Sequence, residues 1–162
     1  MSETEKHRHI TKSFCTGVGL DLGAGGDPIT PTAITIDILS NNSKGSAPNI
    51  DWSATKLRWF TDGSMDFVYS SHLLEDFYNT EEILIEWCRV LKRGGLLILV
   101  LPDQQKYLEY CRIHKKRPNP DHKIDMSSKY IINIMLNIKE MDLAHSTEIE
   151  KDYSFILVYK KG

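Results

Sequence analysis

Leu20-Asp21-Leu22-Gly23-Ala24-Gly25-Gly26-Asp27 decides the fold of this chain. A short apolar run, Val18 to Leu22, feeds directly into a turn in which three of four residues are glycine. Glycine takes positive φ without steric cost and lets a ligand touch the main chain. Exposed N–H groups at such a turn form a concave polar site at the end of a strand. In open α/β sheets, nucleotide-like ligands sit at that edge. A glycine turn alone also serves purely conformational ends, so the meaning of this one depends on the strands and carboxylates that come after it in the chain.

Fourteen residues beyond Gly23 the β-branched run Ile34-Thr35-Ile36-Asp37 ends on a carboxylate, with Ile38 beside it. Two acceptor oxygens at the end of a neighbouring strand suit the two hydroxyls of a ribose. A third strand reads from Asp66 to Ser71 and closes on Ser70, Ser71 and His72. Only about ten residues, Pro28 and Pro31 among them, separate the first two strands. A parallel crossover with a full helix needs a dozen or more. The first crossover helix is therefore expected to be reduced to a turn or a single helical loop.

Thr80, followed by Glu81 and Glu82, opens a helix with a stripe at Ile83, Leu84, Trp87, Val90 and Leu91, and Gly94 is placed as its left-handed cap. The strand Leu96 to Leu101 comes next, then a helix from Asp103 to about His114. Ser127 or Ser128 caps an apolar helix to about Lys139. Two closing strands near Leu143–Glu148 and Ser154–Lys160 meet at a turn around Lys151-Asp152. Residues 39–48 read as a turn-rich loop. The expected architecture is α/β: a doubly wound, Rossmann-like, mostly parallel sheet with an antiparallel C-terminal strand and a reduced first crossover helix. Residues 1–13 are expected to be a flexible lead-in, and 14–162 one domain.

Four stretches occur in order: Asp21-Leu22-Gly23-Ala24-Gly25-Gly26, Asp62-Gly63-Ser64-Met65-Asp66, Ser70-Ser71-His72-Leu73-Leu74-Glu75 and Arg89-Val90-Leu91-Lys92-Arg93-Gly94-Gly95. As an ordered set they resemble the class I S-adenosylmethionine-dependent methyltransferases, and more narrowly the small methyltransferases of the type 11 group. The resemblance implies S-adenosyl-L-methionine as cofactor and S-adenosyl-L-homocysteine as product. It places Asp21, Gly23, Ala24 and Gly25 around the methionine moiety and Asp37 and Ile38 at the ribose. Ser70 would offer its carbonyl to the cofactor's ammonium group. The adenine side admits two registers, with either Ser53 or Asp51 at the acidic position of the family, so Asp51-Trp52-Ser53 is taken as a unit. Trp52 could stack on adenine or serve the core.

Methyl transfer from a sulfonium asks mainly for alignment of the acceptor, with a base where the acceptor is protonated. His72, the group in this set that titrates near neutrality, is the candidate base; the alternative is a histidine bonding a neighbouring backbone. Asp103 either lines the acceptor pocket or caps the next helix. Residues 112–123 carry five Lys or Arg against one Asp and could steer an anionic acceptor.

The composition is 41% hydrophobic and 26% charged with net charge −2, which argues against a general nucleic-acid binder. No apolar run approaches a membrane span and no secretory leader is legible. The three cysteines are widely spaced, as packed thiols of a cytoplasmic protein would be. No metal site is expected: His7 and His9 near the terminus read as solvated, and His114, Asp121, His122 and Asp125 lack a ligand spacing.

The function expected is methyl transfer to a small molecule or glycan precursor, including an anionic one. The alternative is a non-catalytic module that binds a nucleoside ligand or a partner protein. Because the clipped crossover leaves the cofactor site open, either a homodimer or another partner is expected to complete it, or the acceptor is large.

Overall fold

The computed structural model describes residues 1–38 and 47–162, so most of the loop expected at 39–48 lies outside the described residues. Seven strands form one sheet: β1 (Gly19–Leu22), β2 (Ile34–Asp37), β3 (Ile50–Asp51), β4 (Met65–Ser71), β5 (Leu91–Pro102), β6 (Met141–Ser146) and β7 (Ser154–Lys161). Their order across the sheet is β3-β2-β1-β4-β5-β7-β6. The first five are parallel; β7 runs antiparallel between β5 and β6. The doubly wound sheet with an antiparallel C-terminal pair is thus as the sequence predicts. No helix stands between β1 and β2, so the first crossover is a run of turns.

Period-two alternation divides the core into two layers. Val68, Leu97, Leu99, Leu101 and Leu157 face one side of the sheet, where α2 (Thr80–Arg89) and α4 (Ser128–Met135) supply Ile83, Leu84, Trp87, Ile131 and Met135. Phe67, Tyr69, Ile98, Val100, Ile156 and Val158 face the other side, with Cys15, Ile29 and Ala33. The caps match their sequence signals for α3 (Gln104–Ile113), where Asp103 accepts from the Lys106 N–H, and for α4, where Ser127 accepts from the Tyr130 N–H. Each such bond stabilises a helix start by about 1 kcal/mol. Thr80 does not cap α2; it is the first helical residue, after Asn79. Among the described residues no helix is long and apolar enough to cross a membrane.

Two elements depart from the sequence reading. Helix α2 ends at Arg89, and Val90-Leu91 turns directly into the sheet, where Leu91 pairs with Met65. Both residues are fully buried, so their apolar character serves the strand entry rather than a last helical turn. Gly94 has φ +80° within this entry, and a Cβ on Gly95 would lie 2.9–3.1 Å from the backbone oxygens of Lys92, Asp66 and Met65. Gly95 is needed for close approach to β4 and Gly94 for its left-handed backbone in the strand entry, neither of them for a helix cap.

The second departure is at the N-terminus. The stretch expected to be a flexible lead-in forms α1 (Glu3–Thr11), with Ser2 as N-cap accepting from the Glu5 N–H. Its buried stripe is Thr4, His7 and Thr11, so the helix packs through polar residues. Arg8 pairs with Asp27 at 2.5 Å, the Ser2 hydroxyl donates to the same carboxylate, and the Tyr153 hydroxyl donates to Glu3 at 2.9 Å.

Candidate functional site

Beyond the carboxyl ends of β1, β2 and β4 lies a cleft of about 320 Å³, within the range of small-molecule sites. Its wall on the β2 side is Asp37, Ile38, Trp52 and Ser53; Gly23 lies beneath, and Leu73, Asp76 and Phe77 stand opposite. Asp37 ends β2, and its two carboxylate oxygens are anchored separately. Oδ2 accepts from the Gly25 N–H at 2.8 Å and Oδ1 from its neighbour Ile38 N–H at 2.8 Å. A carboxylate has about four acceptor positions, so lone pairs remain for a ligand.

The glycine turn has the predicted shape. Gly23 (φ +75°) and Gly25 (φ +57°) take left-handed backbone, and the Gly23 N–H donates to the Ile36 carbonyl at 2.8 Å. A Cβ on Gly23 would meet Leu73 Cδ2 at 2.9 Å, whereas one on Gly25 would meet nothing within 4 Å. Gly25 and its neighbour Ala24 belong to the turn but do not line the cleft, Gly25 reaching it through Asp37.

Other residues singled out in the sequence stand elsewhere. Asp21 is 1% exposed, and its Oδ2 accepts from the Ile29 N–H at 2.6 Å. Burial pushes its carboxyl up to about 7, with Asp27 and Asp37 adding to the shift and the Ile29 bond opposing it. It braces the turn from below. Ser70 is fully buried, its hydroxyl donating to the Leu22 carbonyl at 3.2 Å across the β1–β4 seam. Asp51 pairs with Asp37 in the β2–β3 ladder. Trp52 is 39% exposed, packs edge-on against Trp59 at 5.2 Å, and carries the Arg58 guanidinium over its ring at 4.3 Å.

His72 does not line the cleft. It has φ +51°, uncommon for a non-glycine residue, and its Nε2 lies 2.9 Å from the Ser154 hydroxyl, beneath α1. Burial drives its imidazole down to about 4, against the pull of Glu3. The ring is therefore neutral, enclosed and bonded, a structural position rather than that of a base facing an acceptor.

The cleft also recruits residues that strand-end reasoning did not mark. Asp76 ends the 3-10 turn Leu74–Asp76, and its Oδ1 is buried with no hydrogen-bond partner among the described residues. Burial and the neighbouring Asp121 raise its carboxyl to about 6, with Lys123 opposing. Asp121 and Lys123 reach the cleft because the Lys123 and Ile124 N–H groups both donate to the Glu75 carbonyl, at 2.8 and 3.2 Å. The basic loop is thereby folded back over the 3-10 turn.

Comparison with known proteins agrees with this fold. Residues 20–99 match the type 11 methyltransferase domain. No curated protein matches the chain. Among solved structures, an S-adenosylmethionine-dependent methyltransferase of Archaeoglobus fulgidus is similar at 14% identity, covering 98% of this chain and 92% of that one with a TM-score of 0.74. A Thermotoga maritima S-adenosylmethionine-dependent methyltransferase, a possible histamine N-methyltransferase, is similar at 18% identity, 98% and 88% coverage and TM-score 0.71. A Haloferax volcanii protein described as a methyltransferase, in complex with the Trm112 methyltransferase activator, is similar at 14% identity, 98% and 89% coverage and TM-score 0.70. At these identities the likeness to solved structures is one of fold.

Proposed function

The chain belongs to the class I S-adenosylmethionine-dependent methyltransferases of the type 11 group, and from that membership we propose that it transfers a methyl group to a small-molecule or glycan-precursor acceptor. The observation that carries the proposal is the Asp37 carboxylate, fixed at the end of β2 by the Gly25 and Ile38 N–H groups and facing the cleft.

The residues present fit the cofactor. Asp37 has spare acceptor capacity for two ribose hydroxyls. Ile38 and Trp52 offer apolar and aromatic surface for a base, with Ser53 beside them. The orphaned, buried Oδ1 of Asp76 supplies an acceptor suited to an ammonium group. When bound, the cofactor supplies a methyl group already activated for transfer.

The protein's part is positional. The Asp21 carboxyl and the Ser70 hydroxyl hold the turn and the strand seam from beneath. Asp76 is the titratable side chain in the cleft wall whose carboxyl is raised toward neutrality, and an ammonium group beside it would hold it ionised. Lys123 in the cleft wall, six residues after the basic run Lys115-Lys116-Arg117, favours an anionic acceptor.

Titration calorimetry with S-adenosylmethionine, S-adenosylhomocysteine and NAD tests the proposal. Micromolar binding of the sulfur nucleosides and not of NAD is expected, weakened about 100-fold in Asp37→Ala by loss of charge-assisted hydrogen bonds. Absence of binding up to millimolar cofactor, or binding that Asp37→Ala leaves unchanged, would overturn it.

A further inference from the structure

Beneath α1, on the side of β4 away from the cleft, polar side chains accumulate without enough partners. His7 is fully buried, and neither of its ring nitrogens has a hydrogen-bond partner among the described residues. Glu3 uses Oε1 for the Tyr153 hydroxyl and Lys6, both at 2.9 Å, but its Oε2 is buried and unpartnered. That free oxygen lies 3.5 Å from His72 Nε2. Nitrogen and oxygen atoms left unpaired in an interior carry a desolvation cost that native structures rarely tolerate without a ligand, water or ion.

We propose that Glu3, His7 and His72 bind a divalent transition-metal ion of the zinc class, which fastens α1 to the end of β4. One ligand atom from each residue lies within 4.8 Å of the other two. An ion with bonds of about 2.0–2.2 Å to nitrogen and oxygen holds its ligand atoms roughly 3.3 Å apart. The Glu3–His72 edge already has that spacing, and side-chain torsions of His7 can close the rest. Glu3 and His7 are four apart on one helix, which places both on the same face. Two imidazoles and one carboxylate suit zinc and its first-row neighbours, not calcium or magnesium.

The surroundings have the form of an outer ligand shell. Glu75, 1% exposed, places Oε1 3.6 Å from His72 Nδ1, so the far ring nitrogen faces a carboxylate while Nε2 faces Glu3. Carboxylate, histidine and metal in sequence is a recurrent way of fixing the tautomer of a metal-bound imidazole. The ion would replace the Ser154 hydroxyl as partner of Nε2. Lys6 keeps its contact to the other oxygen of Glu3, and its charge is shared with Asp152 at 3.5 Å. This site is independent of the methyltransferase reading, since none of its three ligands lines the cleft.

The test uses untagged full-length protein stripped with chelator and titrated with Zn²⁺ or Co²⁺ alone. One equivalent of Zn²⁺ is expected per chain, with a rise in Tm, and Co²⁺ should give visible d–d absorption that Zn²⁺ removes. Glu3→Gln and His7→Ala should each weaken binding about 100-fold or more, at or beyond the upper end of outer-shell effects. His9→Ala and His114→Ala, at exposed histidines, should change it by less than about twofold, as residues outside both ligand shells. Glu3→Gln keeps the side chain's shape and decides the matter should His7→Ala fail to fold. Absence of stoichiometric uptake by the wild-type chain, or uptake that Glu3→Gln leaves intact, refutes the site.

Discussion

Leu73 lines the cleft while its neighbour His72 lies beneath α1, so two polar regions meet at one step of the chain. They are built oppositely. At the β1 and β2 ends of the cleft the acids are tied to main-chain donors: Asp37 to Gly25 and Ile38, and Asp21 beneath it to Ile29. Beneath α1, Glu3 and His7 keep buried atoms with no partner among the described residues. The first region is made by short segments acting locally, a glycine turn and the ends of adjacent strands. The second exists only because a helix near position 5 folds against a turn near position 73. A ligand edge can thus be specified by local backbone chemistry, whereas a buried polar cluster depends on tertiary closure.

The largest expected departure comes from breaking the local side at its tightest point. Gly23→Ala forces a non-glycine residue to φ +75° and drives its Cβ to 2.9 Å from Leu73. Left-handed backbone costs about 1–2 kcal/mol for such a residue, and the displaced Leu73 adds a further 1 kcal/mol or so through overpacking. Urea unfolding should show a loss of about 2–3 kcal/mol together with loss of cofactor binding. Gly25→Ala carries only the backbone cost, about 1 kcal/mol, since nothing lies within 4 Å of its Cβ. Equal losses for the two glycines would break the distinction between a packed and an open position in the turn.

A smaller effect, visible as a pH profile, probes the brace under the turn. Asp21 has its carboxyl raised from near 3.8 to about 7 by burial. The folded chain therefore holds the proton more tightly than the unfolded one. Its stabilising contribution is complete below about pH 4 and is lost as pH rises through 7. Asp21→Asn retains an oxygen for the Ile29 N–H and cannot ionise. Its stability relative to wild type should therefore increase between pH 5 and pH 8, by denaturant unfolding at both values. A constant difference between the two proteins would show that Asp21 is not held in its protonated form.

The same contrast explains what could be read before folding. The succession of strands along the chain, the clipped crossover and the antiparallel close are read from apolar alternation, Pro28, Pro31 and segment lengths. Gly23, Asp37, Ile38, Trp52 and Ser53 line the cleft because position at a strand end is a local property. The basic loop is marked by its charge, but the meeting of Asp121 and Lys123 with Asp76 is not legible, since it depends on backbone bonds to Glu75 that draw the loop across. Helix α1 escaped for another reason. Its buried stripe is Thr4, His7 and Thr11, so a search for apolar periodicity sees solvated residues. Asp21 and Ser70 occupy strand ends as expected, but their side chains point into the protein, a matter of register that composition does not reveal.

The smallest prediction concerns the edge of the cleft where the sequence left two registers open. Trp52 is held between Trp59 and the Arg58 guanidinium, which lies 4.3 Å from the ring centre of Trp52 and 4.9 Å from that of Trp59. An exposed cation–π contact contributes about 0.5–1 kcal/mol. If Trp52 presents its ring to the adenine, Arg58→Ala frees that ring to rotate, and cofactor affinity should fall by about twofold to fivefold, the equivalent of that energy. Trp52→Ala removes the surface itself and should cost about tenfold, within the range of base–aromatic stacking. Calorimetry on the two variants orders them. If Arg58→Ala weakens binding more than Trp52→Ala, the guanidinium and not the indole meets the ligand, and this wall of the cleft is as electrostatic as the one formed by Asp37.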